Sequence, residues 1–279
     1  MSENPNSRAK SETGELKIRI KGIHKDIWID CPQSRKALRS IVAVIEVPER
    51  TTAPCILISG PGGMGKTTIV NQLRKKNRSL GSPFVFLSLA ENPSNLKFKQ
   101  LILEALGLSI RLELGKSILS KDVAAFIQAQ GIVAIVIDEF HELLLVPKNE
   151  QLKNLSLLKA LTGAPFYLSI IGLGTKSARN ALTYDEQLAR RFHIQELLPW
   201  SMDDDFRSFL ATLEKHVALK HESHLHQEDF VRLIHYHSDG TMDNVVKIVK
   251  AAAIYAITTG QERITKDLIE KAVVDPWGY

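Results

Sequence analysis

Cysteine is scarce in this chain, whose 279 residues include only Cys31 and Cys55. Two cysteines in a chain of this length do not make a disulfide framework, and their spacing fits no zinc-binding pattern. We therefore expect reduced thiols in a cytoplasmic protein. Cys55 begins an apolar run and is expected to be a small buried side chain.

Long hydrophobic segments are also missing. The longest apolar run, residues 131–137, has the length of a strand, whereas a membrane-spanning helix needs roughly 20 apolar residues. Residues 1–15 are polar and lack the apolar core of a signal peptide. The sequence therefore predicts a soluble protein with no membrane partner and a flexible tail over residues 1–15.

A strong excess of charge is absent as well, since the formal net charge is +5. This mild basicity permits phosphate contacts with nucleic acid but does not require them, and a solvated basic surface explains it equally well. Apolar residues make up 44% of the chain and charged residues 24%, which is typical of a globular protein. The length allows one large domain and a small accessory domain.

The first two thirds of the chain alternate between short apolar runs and stretches with helical periodicity. The apolar runs predict five strands, at residues 55–59, 84–89, 132–137, 166–172 and 193–197. Strands that alternate with helices predict a mostly parallel sheet covered by helices on both faces. The sequence thus predicts an α/β domain over residues 16–199.

The pattern changes after Pro199, where only helical periodicity remains. Four helices are predicted, near residues 202–218, 226–237, 241–259 and 265–273. We therefore predict a separate, all-helical lid domain over residues 200–279.

A glycine-rich loop follows the first predicted strand. Residues 60–67 read Gly-Pro-Gly-Gly-Met-Gly-Lys-Thr, which fits the Walker A pattern G-x-x-x-x-G-K-[ST] between a strand and a helix. Backbone N–H groups of such a loop face the phosphates of a nucleotide, the lysine reaches the β- and γ-phosphates, and the threonine hydroxyl is a ligand of Mg²⁺. An unrelated glycine-rich turn is the alternative. The predicted ATP-binding residues are Gly60, Pro61, Gly62, Gly63, Met64, Gly65, Lys66, Thr67, Thr68 and Asp138.

Two carboxylates end the third predicted strand. Behind a Walker A loop, Asp138 is expected to hold Mg²⁺ together with Thr67, and Glu139 is expected to orient or deprotonate the attacking water. An acidic pair alone often does no more than begin the next helix. In this context it favours ATP hydrolysis over nucleotide binding alone.

Two adjacent arginines precede the fifth predicted strand. Residues 188–192 read Leu-Ala-Arg-Arg-Phe, and an arginine can stabilise the charge that develops on a γ-phosphate, often in a neighbouring subunit. An exposed basic turn is the alternative interpretation.

The order of these motifs resembles that of AAA+ ATPases, and several strings resemble the TniB/TnsC group of transposition ATPases. Residues 28–32 (Trp-Ile-Asp-Cys-Pro) look like the Trp-Ile-x-x-Pro segment of that group. Residues 137–141 (Ile-Asp-Glu-Phe-His) and 171–175 (Ile-Gly-Leu-Gly-Thr) resemble its Walker B strand and the end of its fourth strand. Residues 187–192 (Gln-Leu-Ala-Arg-Arg-Phe), followed by Leu-Pro-Trp at 198–200, resemble its Leu-x-x-Arg-Phe and Leu-Pro-x-Trp elements.

The resemblance implies a P-loop AAA+ domain, a three-layer fold around a parallel sheet, with a C-terminal helical lid. It implies that Thr175 occupies the sensor-1 position and assists catalysis by contacting the γ-phosphate. It also implies that Arg191, with Arg190 as the alternative, is the arginine finger, and that residues 29–32 lie near the adenine.

The chain departs from the AAA+ pattern in the lid. Residues 239–244 read Asp-Gly-Thr-Met-Asp-Asn, so Asp243 or Asn244 occupies the usual position of the sensor-2 arginine. Lys247 and Lys250 are the candidate substitutes. The departure puts the coupling between the lid and the phosphates in question.

Members of the resembled family assemble as ATP-dependent rings or helical filaments on double-stranded DNA. They pass target choice to a DDE-type transposase, commonly with a TniQ-type protein as a further partner. Lys97 and Lys99 follow the second strand, a region that commonly faces the pore of AAA+ rings, and are predicted DNA contacts. The solvated side of an amphipathic helix is the alternative explanation for them.

Three functions therefore remain open on sequence grounds. The first is an ATP-dependent regulator of transposition. The second is another AAA+ DNA machine, such as a helicase or a clamp-loader-like initiator. The third is a nucleotide-gated STAND-type switch without a DNA partner, although such chains usually carry long repeat or effector domains.

Overall fold

The computed structural model describes residues 5–46, 51–92, 96–109 and 119–276, which form two compact units. One unit is Gln33–Leu198, and the other combines Met1–Pro32 with Pro199–Tyr279. The sequence predicts residues 16–199 as one domain, whereas the segment up to Pro32 groups with the C-terminal helices. The change of unit at Leu198 coincides with the change in sequence pattern.

A parallel sheet of five strands forms the centre of the α/β unit, as predicted. Its order is β2-β3-β4-β1-β5. All neighbouring strands are parallel. The strands are β1 (Cys55–Ser59), β2 (Phe84–Ser88), β3 (Ala134–Asp138), β4 (Ser169–Gly174) and β5 (Phe192–Glu196).

Helices connect successive strands, and short 3₁₀ turns at Val44–Glu46, Arg78–Leu80 and Phe140–Leu144 complete the connections. The helices of this part of the chain are α2 (Pro32–Ala43), α3 (Lys66–Asn77), α4 (Phe98–Ala105), α5 (Lys121–Ala129), α6 (Lys148–Leu161), α7 (Ser177–Leu182) and α8 (Glu186–Ala189).

The three inner strands are buried along their whole length. Every residue of β1, β3 and β4 is buried, because helices cover a parallel sheet on both faces. Their side chains pack with Phe140 in a continuous hydrophobic core. The carboxyl ends of β1, β3 and β4 are therefore held rigidly, and the loops that carry the motifs begin there.

The fourth strand begins three residues later than the sequence predicts. Phe166 is buried and apolar, which extended the predicted strand to residues 166–172, but β4 is Ser169–Gly174. Tyr167 has a left-handed backbone with φ of 50°, which is incompatible with an extended strand. The shift places Gly174 inside the strand and Thr175 directly after its end.

An N-terminal helix was not predicted. The sequence predicts a flexible tail over residues 1–15, whereas α1 spans Pro5–His24; residues 1–4 lie outside the described residues. Leu16, Ile20 and Ile23 recur at helical spacing and pack against the core of the C-terminal helices. The apolar face of this segment thus determines its position, although its first residues are polar.

Four helices after Pro199 form the rest of the unit that contains α1, which we call the helical unit, in agreement with the predicted helical region. They are α9 (Asp204–Val217), α10 (Glu228–Ser238), α11 (Met242–Thr258) and α12 (Lys266–Val274). Trp200 lies in their core, 5.1 Å from the ring of Phe209, and its backbone N–H donates to Gly240 O at 2.8 Å. No helix among the described residues is both long and apolar enough to span a membrane.

A bidentate ion pair joins α1 to the segment between α11 and α12. Arg19 donates from Nη1 and Nη2 to the two carboxylate oxygens of Glu262 at 2.7 and 2.8 Å. The side chains of Arg19 and Glu262 are 25% and 11% exposed. The hydrogen bond from Arg19 lowers the pKa of Glu262 to about 2.

Glu262→Gln should lower the free energy of unfolding at neutral pH by on the order of 1–2 kcal/mol, because the pair is partly screened by solvent. Since the pKa is depressed from 4.5 to about 2, the stabilisation is present above pH 4.5 and is lost as the pH falls towards 2. Urea unfolding of both proteins at several pH values measures this. Glu222→Gln, whose side chain is 84% exposed, is the control. If the difference in the free energy of unfolding between wild type and Glu262→Gln stayed constant down to pH 3, it would contradict the depressed pKa of Glu262.

Candidate functional site

The glycine-rich loop connects β1 to α3 with two left-handed glycines. Gly63 and Gly65 have φ of 73° and 77°, a conformation that L side chains rarely adopt. Helix α3 then begins at Lys66. Because Gly65 before it has no side chain, that residue does not cap the first N–H groups of the helix. The N–H groups of the first turn, with Thr67 and Thr68 exposed beside them, are thus available to an anionic ligand, as at other helix N-termini.

The ammonium group of Lys66 is held at the centre of this loop. Lys66 is buried, at 7% exposure, and its Nζ donates to Gly60 O at 3.0 Å and Pro61 O at 2.7 Å. Burial lowers its pKa, and the nearby negative charges of Glu139 and Asp138 oppose that shift. A lysine ammonium has three donors, so one remains for a phosphate oxygen. The donors present here fit a triphosphate.

Asp138 ends β3 as a buried carboxylate. It is 6% exposed, and its Oδ1 accepts the backbone N–H of Glu139 at 3.0 Å. The carboxylate of Asp138 and the exposed hydroxyl of Thr67 are oxygen ligands of the kind that Mg²⁺ prefers, so the residues present fit that ion.

Glu139 adopts a left-handed backbone that is unusual for its residue type. Its φ is 52°, and such strain concentrates at functional sites. Its Oε2 lies 3.1 Å from Nδ1 of His141, whose side chain is 19% exposed. This Nδ1 makes no hydrogen bond with another of the described residues. His141 belongs to the string that resembles a Walker B strand, but the sequence analysis gave it no role, and the structure places it beside Glu139.

Thr175 lies beside the glycine-rich loop. The backbone N–H of Gly60 donates to Gly174 O at 3.2 Å, which joins the beginning of the loop to the end of β4. Thr175 follows directly, with its Oγ1 2.6 Å from Oγ of Ser177. The structure therefore brings the loop, the two acids and Thr175 together at the carboxyl edge of the sheet.

The arginine pair lies at the opposite end of the sheet, beside the amino ends of β1 and β5. Arg191 precedes β5, and its carbonyl accepts the N–H of Cys55, the first residue of β1. The loop begins after the other end of β1, and five strand residues span roughly 16 Å. Neither arginine is therefore placed to contact a ligand in the glycine-rich loop of its own chain.

The two arginines differ in their contacts. Nη1 of Arg191 donates to Lys159 O at 3.0 Å and to the hydroxyl of Thr162. Arg190 is 76% exposed and pairs only with Glu186, at 2.5 Å, among the described residues. Arg191 is thus held by contacts within its own chain, whereas Arg190 is the more accessible cation. Which of them is the finger stays a prediction.

The remaining predicted cations already have partners. Lys97 is 74% exposed and its Nζ lies 3.8 Å from Glu150, while Lys99 is half-buried in α4. In the helical unit, Lys247 pairs with Asp243 at 2.7 Å. Burial lowers the pKa of Lys250, which donates to the backbone carbonyl of residue 25 at 2.7 Å. The DNA contacts and a substitute for sensor 2 stay predictions.

A sequence comparison identifies the family. The family described as bacterial TniB protein matches residues 19–202. The chain belongs to the TniB family. No curated protein matches it in a direct sequence search.

Solved structures similar to this TniB-family chain share its fold. Orc1 of Aeropyrum pernix in complex with DNA matches with a TM-score of 0.62 and 17% identity, over 92% of this chain and 69% of that one. A point mutant of RuvB from Thermotoga maritima gives 0.56 and 18%, over 90% and 73%. Domain III of Thermotoga maritima DnaA gives 0.56 and 14%, over 89% and 94%. Family and fold together identify an AAA+ ATPase, as the motifs predict.

Proposed function

We propose that this TniB-family ATPase assembles on double-stranded DNA when it binds ATP and regulates transposition. In this role it recruits or activates a DDE transposase at the target site, with a TniQ-type protein as a further partner. Membership of the TniB family supports the link to transposition. The helicase, clamp-loader-like and STAND-type alternatives have no comparable support.

The carboxyl edge of the sheet supplies the ATP chemistry. Backbone N–H groups of residues 60–67 and the ammonium of Lys66 bind the triphosphate. Mg²⁺, when bound through Thr67 and Asp138, neutralises phosphate charge. Glu139 accepts a proton from the attacking water or orients that water, and Thr175 contacts the γ-phosphate. These roles account for ATP hydrolysis but not for what the energy is used for.

The separation of the arginines from the glycine-rich loop is the observation that carries the assembly proposal. An arginine that is about one strand length from its own nucleotide site can complete only a neighbour's site. Hydrolysis then depends on the contact between subunits, and ATP, bound where two copies meet, stabilises the oligomer. Rings and helical filaments both satisfy this requirement, because each repeats a head-to-tail contact.

The experiment is sedimentation and electron microscopy of the purified protein with duplex DNA and either ATP, ADP or no nucleotide. We expect DNA-bound oligomers only with ATP, and ATPase activity that rises with protein concentration. Arg190→Ala and Arg191→Ala should each be compared, and the finger variant should lose about 10³-fold in turnover while it still binds ATP. A thermal melt of the Arg191→Ala protein tests whether its loss of turnover comes instead from a fold destabilised by loss of the Arg191–Thr162 contact.

Two results would contradict the proposal. Monomeric protein in ATP and DNA would exclude assembly, and full turnover in both arginine variants would exclude completion of the site by a neighbour. A DNA-bound oligomer that does not bind a transposase from the same genetic neighbourhood would favour another AAA+ DNA machine.

A further inference from the structure

Helix α3 ends in a cluster of cations in a segment without acids. Arg74, Lys75, Lys76 and Arg78 lie within five residues, and residues 51–90 contain no aspartate or glutamate. All four side chains are exposed. We call these four residues the α3 basic end.

None of these charges is neutralised within the part of the chain that the structure describes. No carboxylate there lies within 4.0 Å of any of the four cations. Some exposed cations elsewhere do have acidic partners: Lys97 and Lys153 contact Glu150, and Arg190 contacts Glu186. The α3 basic end is therefore a concentration of positive charge available to an external anion.

The backbone beneath this cluster is fixed. The side chain of Asn77 donates to Phe84 O at 2.9 Å and accepts the N–H of Phe84 at 3.1 Å, which joins the end of α3 to β2. The guanidinium carbon of Arg74 lies 5.0 Å from the centre of the Phe86 ring. Cations on a rigid base lose less conformational entropy when they bind a ligand.

Stabilisation of the helix end is the simpler explanation for basic residues there, because cations favour the negative end of the helix dipole. That effect concerns the last turn alone. Here the cluster continues past Asn77 to Arg78, outside α3, and leaves four exposed like charges without an acidic partner among the described residues. Their mutual repulsion is a cost that an anionic ligand would remove.

We propose that the α3 basic end binds the phosphate backbone of double-stranded DNA. This inference rests on the proposed function and names the residues that make the contact. Duplex DNA carries one phosphate per about 1.7 Å of its axis, so closely spaced cations can contact several phosphates without reading bases. Helix α3 then carries the ATP-binding loop at one end and the DNA contact at the other, about 18 Å apart.

The test is the triple variant Lys75→Gln, Lys76→Gln and Arg78→Gln; Arg74 is kept because it packs on Phe86. Fluorescence anisotropy with a labelled duplex, with ATP, gives the dissociation constant between roughly 50 and 200 mM salt. We expect the slope of log affinity against log salt to fall by about 2–3 and the affinity at low salt to fall on the order of 10- to 100-fold. ATP binding without DNA should be unchanged.

The matched control removes three other cations. Lys220, Arg232 and Lys266 each pair with an acid, at 3.6, 2.7 and 2.6 Å, and their replacement by Gln changes the net charge equally. The control should keep the wild-type slope. An unchanged slope in the test variant, or equal losses in both variants, would overturn the inference while the proposed function stands. Wild-type protein that does not bind duplex DNA would instead refute the proposed function.

Discussion

Lys66→Ala should abolish ATP binding, with a loss of affinity of about 100-fold or more. The ammonium of Lys66 is buried against Gly60 O and Pro61 O, and we expect it to lie between those carbonyls and the phosphates. Without it, the loop would present two unpaired carbonyl oxygens to a polyanion. Truncation of one partner of a buried charge pair typically costs about 2–5 kcal/mol. Calorimetric titration with ATP measures the loss.

Lys75→Ala is the control for this experiment, because Lys75 lies on the same helix but is exposed near its other end. It should bind ATP like the wild type. Lys66→Ala should also lose ATP-dependent assembly on DNA and all turnover, and its melting temperature without nucleotide should stay near that of the wild type. ATP affinity that stays within a few-fold of the wild type would disprove the phosphate-binding role of residues 60–67.

Local sequence patterns predict the local geometry of the candidate nucleotide site, because each part depends on a short segment. A buried strand, two glycines at positive φ and the start of a helix define the loop of residues 60–67 without any distant contact. Asp138 and Glu139 follow from the end of an apolar run in the same way. The five strands were found for this reason, with their ends misplaced by a few residues.

Features that depend on tertiary contacts were not predictable. The strand order brings Gly174 beside Gly60, and no sequence pattern states which strands are neighbours. The contact between His141 and Glu139 depends on the left-handed turn at Glu139. The contact between residues 191 and 162 joins side chains that are distant in sequence.

The N-terminal helix is an intermediate case. Apolar periodicity at Leu16, Ile20 and Ile23 did carry a signal for α1, which the charged residues between them obscured. The polar composition of residues 1–15 predicts a tail because polar residues have little apolar surface to bury. A polar segment can nevertheless form a helix when it continues into one that packs against a core. Contact with the C-terminal helices decides the outcome, and that contact lies outside any local pattern.

Glu139→Gln should leave ATP binding intact and slow hydrolysis by about 100-fold or more, within the range that general-base groups contribute. The substitution keeps the size of the side chain and removes its basicity, so the glutamine cannot accept a proton from water. Lys66 and the loop N–H groups are unchanged, which preserves the phosphate contacts. Single-turnover ATP hydrolysis and ATP titration, measured on the same preparation, separate the two effects.

Assembly on DNA should then outlast that of the wild type, because the ATP-bound state proceeds to ADP more slowly. Sedimentation with duplex DNA after a chase with excess ADP measures how long the oligomer persists. Glu142→Gln is the matched control: Glu142 also lies near His141, with 3.8 Å between its Oε1 and His141 Nε2, but it follows the end of β3 by four residues. It should hydrolyse ATP normally. Full turnover in Glu139→Gln would remove Glu139 from the chemistry, and slow turnover without prolonged assembly would show that hydrolysis does not release the protein from DNA.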